Sequence, residues 1–169
     1  ILERTTATML ITVPTIVKNL LLHIEESDRT YDFSALRMAV SASEKMPPEI
    51  FDRFHRLIGV ELMDSLGSSE ITYEWIANRP GEFRRGSLGK PVFGCEVKLM
   101  DPDGGEVTEA GTDGECWIKS RTTCFYYWRK LDKTRETFIG QWARTGDTLQ
   151  FDGDGFFWFS GRSDDVFKV

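Results

Sequence analysis

No stretch of this sequence stays apolar long enough to cross a membrane. The best candidate, TMLITVPTIVKNLLLHI (8–24), is broken by Pro14, Lys18 and Asn19, so it fits neither a span nor a signal peptide. Positive charge is also short. Lys and Arg total 21 against 27 Asp and Glu, and the net charge of −6 argues against holding a nucleic-acid backbone through a general field. Only local basic spots such as FRRG (83–86) offer contacts for a small anion. Cysteine is limited to Cys95, Cys116 and Cys124, odd in number and without CxxC spacing, which excludes a disulfide framework and a zinc site and makes a reducing cytoplasm the simplest compartment. Neither GxxxxGK[ST] nor GxGxxG occurs, so the two commonest nucleotide signatures are missing. An initiator methionine is missing too: Ile1 begins what reads as a strand in progress, and with the ending FSGRSDDVFKV both ends read as cut.

What is present suffices for a real core, with 40% hydrophobic residues in 169, so one domain or two small lobes are expected. The first half alternates strands and helices. TMLITV reads as a strand, and Pro14 then opens a helix with Val13, Ile16, Val17, Leu20, Leu21 and Ile24 on one face. ALRMAVS is a second strand, Pro47 opens a helix carrying Ile50, Phe51, Phe54, Leu57 and Ile58, and Gly59 stops it. A third strand, VELMD, runs into the loop SLGSSE. This order predicts an α/β fold with a largely parallel sheet, whose ligands sit beyond the carboxyl ends of the strands. From about Gly86 short strands separated by turns (VFGCEVKLM, GECWIKS, ARTGDTLQF, GFFWFSG) predict a small antiparallel sheet or barrel. The turns DPDGGE and DGDG lack the full ligand set of a calcium loop and read as hairpin turns.

Three clusters can carry chemistry. In SLGSSE, Gly67 lets backbone approach a ligand, Ser68 and Ser69 supply hydroxyls, and Glu70 supplies a hard carboxylate, a set that suits phosphate and magnesium, although spacing alone favours a helix cap. In WARTGD, Asp147 can accept two hydrogen bonds from a vicinal diol or stand as a solvated turn residue. In GRSDD, Arg162 can hold a hydroxyl or an anion, while Asp164 and Asp165 fit a cap or plain surface. His55 on a polar helix face and His23 near a helix end read as solvated or capping groups.

Taken in order, GSSE, GSLGKP, TGD and GRSDDVFKV resemble the adenylate-forming superfamily of acyl-CoA synthetases, adenylation domains and luciferases. NRPGEFRRGSLGKPV, YYWRKLDKTRETF and DDVFKV are most similar to the benzoate and aryl-acid CoA ligases. The resemblance implies a large-domain αβ part over 1–85, a small β part over 86–161 and a hinge over 162–169 leading to a further C-terminal domain. It implies an aromatic carboxylic acid, ATP and coenzyme A as substrates, with magnesium, and a two-step reaction through acyl-AMP. Neither nucleic acid nor membrane is implied, and homodimers are common in the family.

By position, the resemblance puts Ser69 at a phosphate contact and Glu70 at the magnesium-associated glutamate. Asp147 and Arg162 fall at the ribose side of the nucleotide. Ser43, Glu44 and Lys45 border adenine, and Asp64, Ser65 and Leu66 flank the same base, continuing into Gly67 and Ser68. Gly67, Tyr73 and Glu74 fall at the acyl pocket. Asp164 is the hinge, with Lys168 just beyond it. The family's phosphate-holding Ser/Thr/Gly loop and its C-terminal catalytic lysine are expected outside the chain, so 1–169 alone is expected to be inactive. One departure concerns ITYEW (71–75), where Glu74 interrupts an apolar wall: it either pairs with a polar ring substituent or an arginine, or points away. A domain loading a carrier protein shares these motifs, and a non-catalytic nucleotide-binding remnant is the reading from another class.

Overall fold

The structure, a computed structural model, describes residues 1–42 and 46–163. Ser43, Glu44 and Lys45 of the expected adenine loop, and Asp164 and Lys168 of the expected hinge, lie outside the described residues.

The chain starts with β1 (Met9–Thr12), α1 (Pro14–Glu25), β2 (Met38–Ser41), α2 (Pro48–Ile58) and β3 (Leu62–Gly67). The three strands are parallel, and their register sets Thr12, Ser41 and Asp64 side by side at the carboxyl ends. Pro14 takes the first turn of α1, where its missing N–H has no intrahelical acceptor to lose. Val17 and Leu21 are fully buried, with Leu20 and Ile24 packed beside them. Ile16, expected on that face, is 56% exposed. At 3.6 residues per turn it falls about 100° from the middle of the buried stripe.

Helix α2 starts one residue later than expected, with Pro47 as its N-cap. Glu49 in its first turn and His55 and Arg56 in its last oppose the helix dipole favourably. Gly59 ends it in the left-handed region, φ 82°, donating its N–H to His55 O at 2.8 Å. Ile50, Phe51, Phe54 and Ile58 are buried against Ala39 and Leu62, so both helices cover the same sheet face. Full burial of each such side chain stabilises the fold by roughly 1.5–3 kcal/mol.

The sequence suggested that the third strand ends at Asp64, but β3 continues to Gly67 because β4 (Glu74–Ala77) pairs with it antiparallel. β5 (Lys90–Pro91) then adds to β4, giving the order β1-β2-β3-β4-β5. A Cβ on Gly67 would lie 2.8 Å from the Cα of Glu74, so the close approach that this glycine permits is first of all to β4.

β6 (Cys95–Met100), β7 (Glu106–Val107), β8 (Gly114–Ser120), α3 (Leu131–Thr137), β9 (Phe138–Ile139), β10 (Trp142–Phe151) and β11 (Phe157–Arg162) follow. They build an antiparallel sheet in the order β11-β10-β8-β6-β7, with β9 on β10. Asp101 and Asp152 each accept two backbone N–H bonds within their own turns, so those carboxylates serve the hairpins. The second core joins Leu99, Cys116, Ile118 and Leu149 to Ile71, Trp75 and Ile76 from the β4 region.

The two sheets are stitched where Leu88 N–H donates to Phe157 O and Phe157 N–H to Gly89 O, both at 2.8 Å. Gly89, φ 96°, is required there, since a Cβ would meet Ala77 carbonyl carbon at 2.1 Å. The FRRG guanidiniums are matched by carboxylates: Arg84 pairs with Asp152 and Asp154, and Arg85 with Asp52 and Glu61. That pairing leaves them as structural clamps rather than anion contacts.

Candidate functional site

A cavity of about 770 Å3 opens where the end of β3 faces β10, β11 and α3. Asp64, Ser65, Leu66, Gly67, Ser68 and Glu70 form one wall, and Asp147 and Arg162 form another. Ile71, Leu88, Ile118 and Phe159 supply apolar lining.

Asp64 ends the parallel part of β3 and is only 7% exposed. Among the described residues its Oδ1 and the buried Ser65 Oγ have no hydrogen-bond partner, and the same holds for Ser41 and Thr12 in the register row beside Asp64. Burial pushes the Asp64 carboxyl up to about 7. An unmatched buried polar atom costs about 1–3 kcal/mol, and Asp64 and Ser65 stand on the cavity wall, where a bound polar molecule can satisfy them. Asn78 fixes the backbone behind this wall, donating from Nδ2 to Asp64 O at 3.0 Å and to Ser87 O at 2.7 Å.

Glu70 stands in a turn, and no helix follows it, so the cap reading of GSSE gives way to a turn into β4. Its carbonyl accepts Cys124 N–H at 2.7 Å, and its Oε1 accepts the Tyr127 hydroxyl at 2.7 Å. Partial burial pulls the Glu70 pKa upward, but hydrogen bonds from Tyr127 and Ser68 and the charge of Arg162 outweigh it, and the group stays below its ordinary value. The reciprocal effect, after burial, pushes the Tyr127 phenol up to about 12. At neutral pH the pair is a protonated phenol on a carboxylate.

Asp147 is 6% exposed on β10, and Arg162 is its register partner on β11. The guanidinium donates to Asp147 Oδ1 at 2.8 Å. Thr145 braces the site from below: its hydroxyl accepts Asp147 N–H at 3.0 Å and donates to Cys116 O at 2.9 Å. Ser163 donates to Gly146 O at 3.0 Å.

The fold thus brings together Asp64, Ser65, Leu66, Gly67, Ser68, Glu70, Asp147 and Arg162 on one cavity. Ser69 is exposed and outside its lining. Tyr73 is also outside, 41% exposed with its hydroxyl 4.0 Å from Cys95 Sγ, and Glu74 opens β4 opposite Gly67 without reaching the lining. His23 bonds to Tyr31 at 2.8 Å and His55 approaches Glu61 at 3.2 Å, and neither belongs to the cavity lining. Sequence reasoning missed Tyr127 and Thr145. Tyr127 lay in a segment noted only for its wording, whereas Thr145, two residues before Asp147, had a local signal in the tendency of Thr to bond backbone two residues on.

A model of the AMP-binding enzyme family matches residues 1–128.

The chain belongs to the AMP-binding enzyme family.

Similar members of known activity include the benzoate–CoA ligase of Thauera aromatica, 39% identical over 134 residues, which are 79% of this chain and 25% of that protein. Among solved structures, the anthranilate CoA ligase AuaEII in complex with anthranoyl-AMP superposes with a TM-score of 0.89 at 39% identity, over 97% of this chain and 31% of that one. A benzoate CoA ligase from Burkholderia xenovorans LB400 gives 0.89 at 35% identity, over 99% and 34%. This AMP-binding family chain therefore spans about a quarter to a third of the length of the relatives it matches. Asp64, Glu70 and Tyr127 lie inside the matched family region; Asp147 and Arg162 lie beyond residue 128 but join the same cavity.

Proposed function

We propose that this chain is part of an ATP-dependent acid:CoA ligase that activates a benzoate-like aromatic acid as acyl-AMP and passes the acyl group to coenzyme A. The observation that carries the reading is the convergence of Asp64, Glu70, Asp147 and Arg162, from separate elements, on one cavity. In the first step the acid's carboxylate attacks the α-phosphorus of ATP and pyrophosphate leaves. In the second, the thiol of coenzyme A attacks the acyl carbon and AMP leaves. Such chemistry depends on positioning and charge neutralisation more than on a side-chain nucleophile.

Each group suits one part of the nucleotide. The two oxygens of Asp147 accept the vicinal hydroxyls of ribose, with Arg162 beside them. The unpartnered Oδ1 of Asp64 accepts a donor from the base, with Ser65 and Leu66 flanking it. Ser68, on the cavity wall, offers a hydroxyl toward phosphate, whereas Ser69 lies outside the lining. Ser43, Glu44 and Lys45 are assigned to the adenine side. Glu70 is half-buried and held anionic, which fits a magnesium ion bound by one carboxylate and phosphate oxygens rather than by an all-protein cage. When bound, magnesium supplies neutralisation of phosphate charge.

The acid approaches past Gly67 on the cavity wall, and Tyr73 stands outside the lining. Glu74 stands outside the cavity lining. Glu74→Ala is therefore expected to keep the ranking of benzoate, aminobenzoates and hydroxybenzoates, and a changed ranking would give Glu74 a pocket role. Residues 1–85 and 86–161 act as two lobes of the nucleotide unit, and 162–169, with Asp164 and Lys168, as the hinge to a further domain. The three free thiols suit a reducing cytoplasm.

The test is acid-dependent ATP–pyrophosphate exchange by the complete protein carrying this chain, followed by thioester formation with coenzyme A. Benzoate or a ring-substituted benzoate should support both. Exchange supported only by aliphatic acids would reject the aromatic substrate, and no exchange with any acid would reject the ligase.

A further inference from the structure

The segment before α3 is fastened to the turn holding Glu70 at several points. Cys124 N–H donates to Glu70 O at 2.7 Å, the Thr122 hydroxyl to Ile71 O at 2.7 Å, and the Thr72 hydroxyl to Thr122 O at 3.4 Å. Thr72 sits at φ 83°, a conformation that a β-branched residue keeps only where surrounding contacts impose it. Tyr127 completes the strap. Its own N–H is held by the Thr134 hydroxyl at 3.0 Å, its ring packs on Phe138 at 5.4 Å, and its hydroxyl reaches Glu70 Oε1. The phenol is thus fixed from α3 and β9, and it fixes in turn a carboxylate on the cavity wall.

We propose that Tyr127 is a positioning residue that holds the Glu70 carboxylate in the orientation a divalent cation needs. The proposal rests on the reading of Glu70 as the cation-associated group. A flexible glutamate must be ordered each time cation and phosphate arrive, whereas one already hydrogen-bonded to a half-buried phenol is ordered beforehand. Carboxylate ligands are commonly oriented by such outer partners, whose loss weakens metal binding about 10–100-fold.

The experiment uses the complete protein with ATP and manganese as the probe. Bound manganese is read by electron paramagnetic resonance without acid, and the magnesium dependence of pyrophosphate exchange is read separately. Tyr127→Phe, which keeps the ring on Phe138, should weaken manganese binding about tenfold or more. It should raise the half-saturating magnesium concentration similarly and leave the rate at saturating magnesium, and binding of metal-free AMP, within about twofold. Glu70→Gln should lose the manganese signal. If Tyr127→Phe binds manganese like the parent while Glu70→Gln does not, the positioning role falls and the cation reading stands. If Glu70→Gln also binds like the parent, or the parent binds no manganese, the cation reading falls and takes the positioning role with it.

Discussion

Asp64 is held 7% exposed with an unpartnered oxygen, and burial raises its folded pKa to about 7. The folded state then binds a proton that the unfolded chain has released, so Asp64 makes stability fall as pH rises from about 4 to about 7 and flatten above. The penalty at pH 8 is on the order of 4 kcal/mol at most. Asp64→Asn should remove that slope and unfold at a higher urea concentration than the parent at pH 8, as read from urea melts across the range. An unchanged slope would assign it to other groups. The thiols give a second check. Burial pushes Cys116 up to about 12, and burial together with the Glu70 charge raises Cys124, so both should resist a maleimide in the folded state and react on unfolding. Residue types at the site were legible because GSSE, TGD and GRSDD, each ambiguous by itself, resemble one family when taken in order. Their partners were not: Tyr127 is 57 positions from Glu70, a contact that only the tertiary fold creates.

Elements followed the sequence where period and punctuation agreed. α2 has a proline start, apolar residues at helical spacing and a glycine stop, and each of these is visible in the fold. β4 was illegible because EWIA is short and lies in a stretch that also reads as a pocket wall; only pairing with β3 makes it a strand. The Asp147–Arg162 pair was half legible, since both residues stood out but their meeting is fixed by the β10–β11 register. Two substitutions test this scale. Phe54→Ala should destabilise by about 3–5 kcal/mol, since Phe54 is fully buried between the helices and the sheet. Gly89→Ala should cost more than about 2 kcal/mol, because its positive φ and the Ala77 backbone both reject a side chain. Denaturant melts would measure both, and a near-neutral Gly89→Ala would mean that the seam between the sheets is looser than its hydrogen bonds indicate.

For the whole molecule, the fold serves to bring a parallel sheet's strand ends against an antiparallel sheet, so that acidic and basic groups distant in sequence share one cavity. No helix among the described residues is long and apolar enough to cross a membrane. Because the chain covers about a quarter to a third of its relatives, residues 1–169 by themselves are expected to form little acyl-AMP, and turnover comparable to the complete protein would overturn that expectation. The central claim, that this cavity holds an adenine nucleotide through Asp147, is tested most directly by calorimetric titration of AMP into the complete protein and its Asp147→Ala variant. The account predicts saturable binding that weakens about tenfold or more in the variant, as expected when charge-assisted hydrogen bonds are lost. Equal affinity in the two proteins would contradict it.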